Sequence, residues 1–151
     1  MKIVDANVLL HAVNSASANH AVARAWLDAA IDSDQTVGLP WVVLLAFIRL
    51  ATHRAVFARP LEPGVAVGVV RDWLSQPTVV AVEPTARHAD VLGGLLATSG
   101  AGGNLVNDAH LAALALEHDA EIVSFDTDFA RFAGLRWSLP TAIDSPPRRM
   151  P

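Results

Sequence analysis

The sequence contains no cysteine, which excludes disulfides and thiolate metal sites. Lysine occurs once, at Lys2. No apolar run is long enough to span a bilayer: the longest, residues 37–48, holds Pro40 and is followed by Arg49. The first residues carry Lys2 and then Asp5, with neither an apolar h-region nor a small-residue cleavage site. No signal peptide is therefore expected, and the plain reading is a soluble, cytoplasmic chain. Acid is missing from one long stretch: residues 35–61 hold no Asp or Glu, whereas Arg49, His53, Arg54 and Arg59 all fall there. The net charge is −4, so the distribution says more than the sum. It describes either a local basic patch beside an acidic pocket or a few solvated arginines.

What is present is apolar. At 151 residues with 52% hydrophobic side chains, the chain can bury a real core within one domain. Residues 3–5 read as a short strand, and Asn19 as the cap of a helix over 20–31. A short extended segment at 36–39 leads into Pro40 and a helix over 41–53, after which Pro60 and Pro63 break the chain. A helix over 64–76, a β-branched strand over 78–82 and a helix over 86–99 closed by Gly100 follow. After a glycine loop, Asn104 is read as the cap of a helix reaching about His118, and strands follow at 121–125 and 134–139. Short apolar strands alternating with helices imply an α/β fold with a central, mostly parallel sheet flanked by helices. The domain is expected over residues 1–139, with a flexible, proline-rich tail over 140–151.

Three carboxylates stand out against this background. Asp5 interrupts an apolar run, where a charge loses hydration unless something compensates it. In open α/β sheets, ligands bind beyond the carboxyl ends of strands, where both Asp5 and Asp126 fall. If their strands are parallel neighbours, the two side chains emerge at one edge. Asp108 lies in the first turn of its helix, where an anion is favoured. At about 100° per residue it shares a side with Leu111, Ala112 and Ala115, opposite His110, Ala113 and Glu117. Each acid taken singly is also compatible with a turn or cap role, Asp128 most of all. Together they repel one another, and a divalent cation removes that penalty. Oxygen ligands without cysteine point to Mg²⁺, with Mn²⁺ able to substitute, and such a site suits phosphodiester hydrolysis.

The order of these features resembles a known family. Asp5 at the first strand end, NDAHLAALALEHDAEIVSFDTDF late in the chain and GLRW near its end are similar to PIN-domain ribonucleases. The likeness is greatest to the VapC toxins of bacterial toxin–antitoxin operons and covers residues 1–138. It implies a Rossmann-like PIN fold and a Mg²⁺-dependent endoribonuclease cutting structured RNA such as tRNA or rRNA. It also implies a homodimer held inactive by a cognate VapB-like antitoxin. On this resemblance Asp5, Asp108 and Asp126 are the catalytic acids and metal ligands, and Asp128 is a further metal ligand. Asn7 neighbours a ligand and is expected to contact substrate or orient the site. Many PIN domains carry a Glu in the helix after the second strand, and the equivalent position here is Ala46. Arg49 and His53 follow it at i+3 and i+7, so all three share one side of an expected helix, and the two cations are read as substrate-binding. A surface ion pair is the plainer alternative for Arg49.

Other readings fit less well. Haloacid-dehalogenase-like enzymes need a second Asp two residues after the first, where this chain has Asn7. Receiver domains need an early acidic pair and a late lysine, and the sole lysine is Lys2. A catalytically weak or inactive PIN-fold module that binds a partner protein or RNA remains the alternative, on the strength of Ala46. Because Mg²⁺ does not require four protein carboxylates, Ala46→Glu is expected to leave cleavage of total RNA largely unchanged. A gain of orders of magnitude in that assay would show the native site to be incomplete.

Overall fold

In the computed structural model, which describes residues 1–141, five short strands form one wholly parallel sheet. They are β1 (Lys2–Val4), β2 (Val37–Gly38), β3 (Val79–Val80), β4 (Glu121–Val123) and β5 (Arg136–Ser138), in the order β3-β2-β1-β4-β5. The chain moves outward from β1 through β2 to β3, then crosses back to lay β4 on the other side of β1. The direction of winding therefore reverses between β1 and β4, which is where such sheets open a crevice at their carboxyl ends. Lys2, Ile3 and Val4 pair in register with Glu121, Ile122 and Val123. The residues that follow, Asp5 and Ser124, consequently leave the sheet side by side.

Among the described residues six helices connect and flank the strands: α1 (Ala6–Val13), α2 (His20–Ile31), α3 (Trp41–Ala51), α4 (Pro63–Leu74), α5 (His88–Ser99) and α6 (Val106–Glu117). Helix α1 packs against α2 and α3, α3 against α4, and α5 against α6. Ile3, Val4, Leu9, Phe47, Ile122 and Phe129 are among the fully buried side chains of a single core. Phe47 meets Trp73 edge-to-face at 4.9 Å. Gly100 closes α5 in the left-handed region, at φ 66°, as expected of that residue.

Several local expectations need correction. Helix α1, unassigned from sequence, starts directly after Asp5, whose side chain accepts from the Ala6 N–H at 2.7 Å and so caps it. Helix α3 stops at Ala51, short of His53. Asn104 lies in a 3-10 turn, Gly103–Leu105, and α6 begins at Val106 without a side-chain cap. Nor is α6 one-sided: Ala113, assigned to its outer face, is fully buried. His110 and Glu117 pack toward α5, where His88 Nδ1 donates to Glu117 and His88 Nε2 lies 2.8 Å from His110 Nδ1. The side chain of Glu117, fully covered, also accepts from the Thr85 N–H at 3.0 Å. A helix buried nearly all round is the work of its alanines, which let both neighbours approach. The expected tail falls, from residue 142 onward, outside the described residues.

Gly38 in β2 illustrates how closely the sheet is covered. A Cβ there would lie 2.6 Å from Val82 Cγ2 and 3.0 Å from Ile3 Cγ1. Gly38→Ala is therefore expected to destabilise the fold by about 1–3 kcal/mol, read as a lower urea midpoint at unchanged slope.

Candidate metal centre

The site is built where β1 and β4 end. Asp5 Oδ2 accepts from Ser124 Oγ at 2.7 Å and from Asn7 Nδ2 at 3.1 Å. Asn7 Nδ2 also reaches Ser124 Oγ at 3.0 Å, and Asn7 Oδ1 accepts from the Phe125 N–H at 3.1 Å. Ser124 Oγ in turn accepts the Asp126 N–H at 2.9 Å. One buried hydroxyl and one amide thus lock the start of α1 to the loop after β4. Phe125 is further held edge-on by the His11 ring, with centroids 5.0 Å apart.

Beyond this lock lies the acidic cluster. Asp126 Oδ1 accepts from the Asp128 N–H at 2.8 Å, which turns the chain into the 3-10 helix Thr127–Arg131. Asp108 approaches from the first turn of α6. Asp108, Asp126 and Asp128 each offer a carboxylate oxygen, all within 4.8 Å of one another, and form the one such group among the described residues. Asp5 stands beside this trio, its carboxylate tied to Ala6, Asn7 and Ser124.

The electrostatics follow from this geometry. Burial pushes the Asp108 carboxyl from 3.8 up to about 6, and the charges of Asp5, Asp126 and Asp128 add to the rise, against a smaller opposing effect of Arg131. Asp5 is raised as well, chiefly by burial and further by Asp126, although the Ser124 and Ala6 hydrogen bonds favour its ionised form. Buried anions pushed together in this way are what a hard divalent cation relieves, and an all-oxygen donor set matches Mg²⁺ or Mn²⁺. The residues present therefore fit such an ion.

The expected phosphate-binding residues separate. Arg49 lines a hollow of about 460 Å³ with Val42, Leu45, Ala46, Ile48 and Asn107, the residue before Asp108. His53 does not share that wall. It lies beyond the end of α3, where its Nδ1 accepts from the Ala55 N–H at 3.0 Å. The i+7 argument fails because the helix it assumed ends at Ala51. Both ends of the Asn7 amide are engaged within the protein, which makes it a scaffold for Asp5. Two residues escape a reading of the sequence. Ser124, the one buried polar residue among those described, follows β4 as Asp5 follows β1, and no signal in the sequence singles it out. Arg131, at i+3 from Asp128, pairs with it at 3.1 Å.

A family model described as PIN domain matches residues 2–135. Ribonuclease VapC37 of Mycobacterium tuberculosis is 57% identical over 143 residues, covering 95% of this chain and 99% of the relative. The chain belongs to the PIN-domain family, among the VapC ribonucleases. Ribonuclease VapC33 of the same species is 44% identical over 140 residues, covering 93% of this VapC chain and 98% of the relative. The fold is also that of solved structures. M. tuberculosis VapC20, described as a sarcin-ricin loop cleaving toxin, superposes with a TM-score of 0.64 at 21% identity over 90% of this chain and 99% of its own. VapBC2 of Rickettsia felis, solved bound to a promoter DNA fragment, gives a TM-score of 0.65 at 17% identity over 91% and 97%. The PIN fold and VapC kinship expected from the sequence are both borne out.

The raised Asp108 carboxyl has a signed consequence. Its folded value, about 6, exceeds the ordinary 3.8, so between those pH values the native state binds more protons than the unfolded chain. Through this group, stability of the metal-free protein falls as pH rises across that window. Asp108→Asn is therefore expected to raise the melting temperature relative to wild type at pH 7.5 in EDTA and to have little effect near pH 4. The same substitution should remove the thermal stabilisation conferred by Mn²⁺ at pH 7.5.

Proposed function

We propose that this chain is the toxin of a VapBC toxin–antitoxin pair, a Mg²⁺-dependent endoribonuclease that cuts structured RNA such as tRNA or rRNA. The observation that carries this reading is the convergence of Asp108, Asp126 and Asp128 within 4.8 Å, beside a half-buried Asp5, at the crevice between β1 and β4. A divalent ion held there would supply charge for the phosphate oxygens and lower the pKa of a bound water. Asp108, Asp126 and Asp128 are the groups that would hold it, with Asp5 as the fourth acid, fixed in place by Ser124 and Asn7. Asn7 acts by positioning Asp5, and Arg49 binds a phosphate of the RNA from the edge of the hollow beside Asn107. His53, exposed beyond α3, contributes at most a distant phosphate contact.

We place the nuclease domain in residues 1–139. Homodimerisation is supported by the exposed apolar pair Trp41 (46% exposed) and Leu45 (59%), one turn apart on α3. The VapBC structures among the fold relatives support a VapB-like partner, whose arginine would enter the acidic crevice in place of the metal's charge. No helix among the described residues is long and apolar enough to cross a membrane, which is compatible with a cytoplasmic site of action.

Ala46 favours a second reading, a PIN-fold module that binds RNA or protein without cutting. One experiment separates the two: purified, antitoxin-free protein incubated with total bacterial RNA in Mg²⁺, Mn²⁺ or EDTA. Discrete fragments that require metal and fall to background in Asp5→Ala are expected, with Asn7→Ala reduced about 10–100-fold. Folded protein that leaves the RNA intact with either metal would decide for the binding module.

A further inference from the structure

Four ion pairs occur among the described residues, and one of them involves the acidic cluster. Arg131 Nη2 donates to Asp128 Oδ1 at 3.1 Å, and Arg131 Nε donates to the Asp128 carbonyl oxygen at 3.1 Å. A guanidinium has five N–H donors, so three remain without a hydrogen-bond partner among the described residues. The side chain is 35% exposed and sits on the same 3-10 helix as Asp128, whose backbone is in turn held by Asp126. As a stabilising device this pair is poor, because half-exposed ion pairs one turn apart contribute little. As a cation at the rim of an anionic crevice it is well placed. Its charge is felt at Asp108, where it opposes the rise caused by the carboxylates.

We propose that Arg131 is a substrate-binding residue of this site: its guanidinium, held against Asp128 by two hydrogen bonds, presents its free N–H groups to a non-bridging oxygen of an RNA phosphate beside the acidic cluster. The proposal rests on the ribonuclease reading and assigns it a phosphate contact separate from that of Arg49, which lines the hollow with Asn107. Two chemical features recommend arginine for this task. Its planar fork can bind a carboxylate on one edge and a phosphate on another, and it remains charged beside any group in the crevice. A cation bound by Asp126 and Asp128 would weaken the hold of Asp128 on Arg131, leaving the guanidinium available to the incoming strand.

The test separates phosphate binding from mere support of Asp128. Arg131→Gln and Arg131→Lys are compared with wild type in two titrations. A short labelled single-stranded RNA is bound in Ca²⁺ across a range of KCl concentrations, with the RNA checked intact on a gel. Mn²⁺ is titrated calorimetrically without RNA, and a thermal melt confirms that each variant is folded. Arg131→Gln should weaken RNA binding about ten- to hundredfold. It should also flatten the plot of log K against log [KCl] by about 0.7, the value for one lost phosphate contact on a single strand. Arg131→Lys should keep the wild-type slope at reduced affinity, and neither variant should bind Mn²⁺ more weakly. An unchanged slope, or an affinity loss that tracks weaker Mn²⁺ binding, would overturn the proposal and leave Arg131 as a prop for Asp128. Wild-type protein that neither binds nor cuts RNA would sink the ribonuclease reading itself and this contact with it.

Discussion

A serine hydroxyl that solvent cannot reach joins the ends of two neighbouring strands. Ser124 Oγ donates to Asp5 Oδ2 and accepts the Asp126 N–H, while Asn7 bridges the same pair of strand ends from α1. Three of the four acids in the crevice, Asp5, Asp126 and Asp128, depend on this junction. A buried carboxylate survives only where hydrogen bonds or charge replace its water. Asp5 receives three such bonds, enough to hold its position but not enough to cancel the effect of burial on its carboxyl. The same hydroxyl fixes the backbone of Asp126, and Asp126 fixes that of Asp128. These three acids are thus placed by a chain of bonds that begins at the sheet, while α6 brings Asp108 to them.

Placement of this kind opposes stability. Asp108 is half-buried among three other carboxylates, and its raised proton affinity measures the strain of holding charge there. The fold tolerates it because the strain is local. Around the crevice the core is closely covered, from Gly38 under Val82 to the alanines of α6 between the sheet and α5. The polar groups on the far side of α6 are satisfied separately, by the Glu117, His88 and His110 network, so the helix that delivers Asp108 is gripped from two sides. Arg131 opposes part of the repulsion from within, as the one cation paired with the cluster among the described residues.

The absence of an acid at Ala46 changes the character of the neighbouring surface. Ala46 lies in a hollow whose other walls are apolar apart from Arg49 and Asn107. The crevice is therefore acidic on the side of β4 and α6 and neutral to basic on the side of α3. On the proposed ribonuclease reading, an RNA chain would meet a cation for its phosphate next to the carboxylates that would hold a metal. For an antitoxin segment this means an acidic mouth beside an apolar wall.

Much of this was legible in the letters. An aspartate inside an apolar run, a second in the first turn of an alanine-rich helix and a third after a late strand are each conspicuous against hydrophobic neighbours, and their order along the chain carried the family resemblance. The alternation of short strands with helices determined the fold class, because each element buries its apolar face only in such a layered arrangement. Other features were not legible. A serine at a strand end is too common to mark itself, and only the register of β1 with β4 showed Ser124 beside Asp5. No glycine or proline announces the end of α3, where the Ala51 carbonyl accepts the Leu61 N–H at 2.9 Å, so the sequence reading extends the helix two residues too far, to His53. The sequence by itself determined which carboxylates exist and which elements carry them, since both follow from local composition and periodicity. Only the tertiary structure decided that Asp5 shares a crevice with the late carboxylates and which groups hold it there, because that relation is set by contacts between residues more than a hundred positions apart.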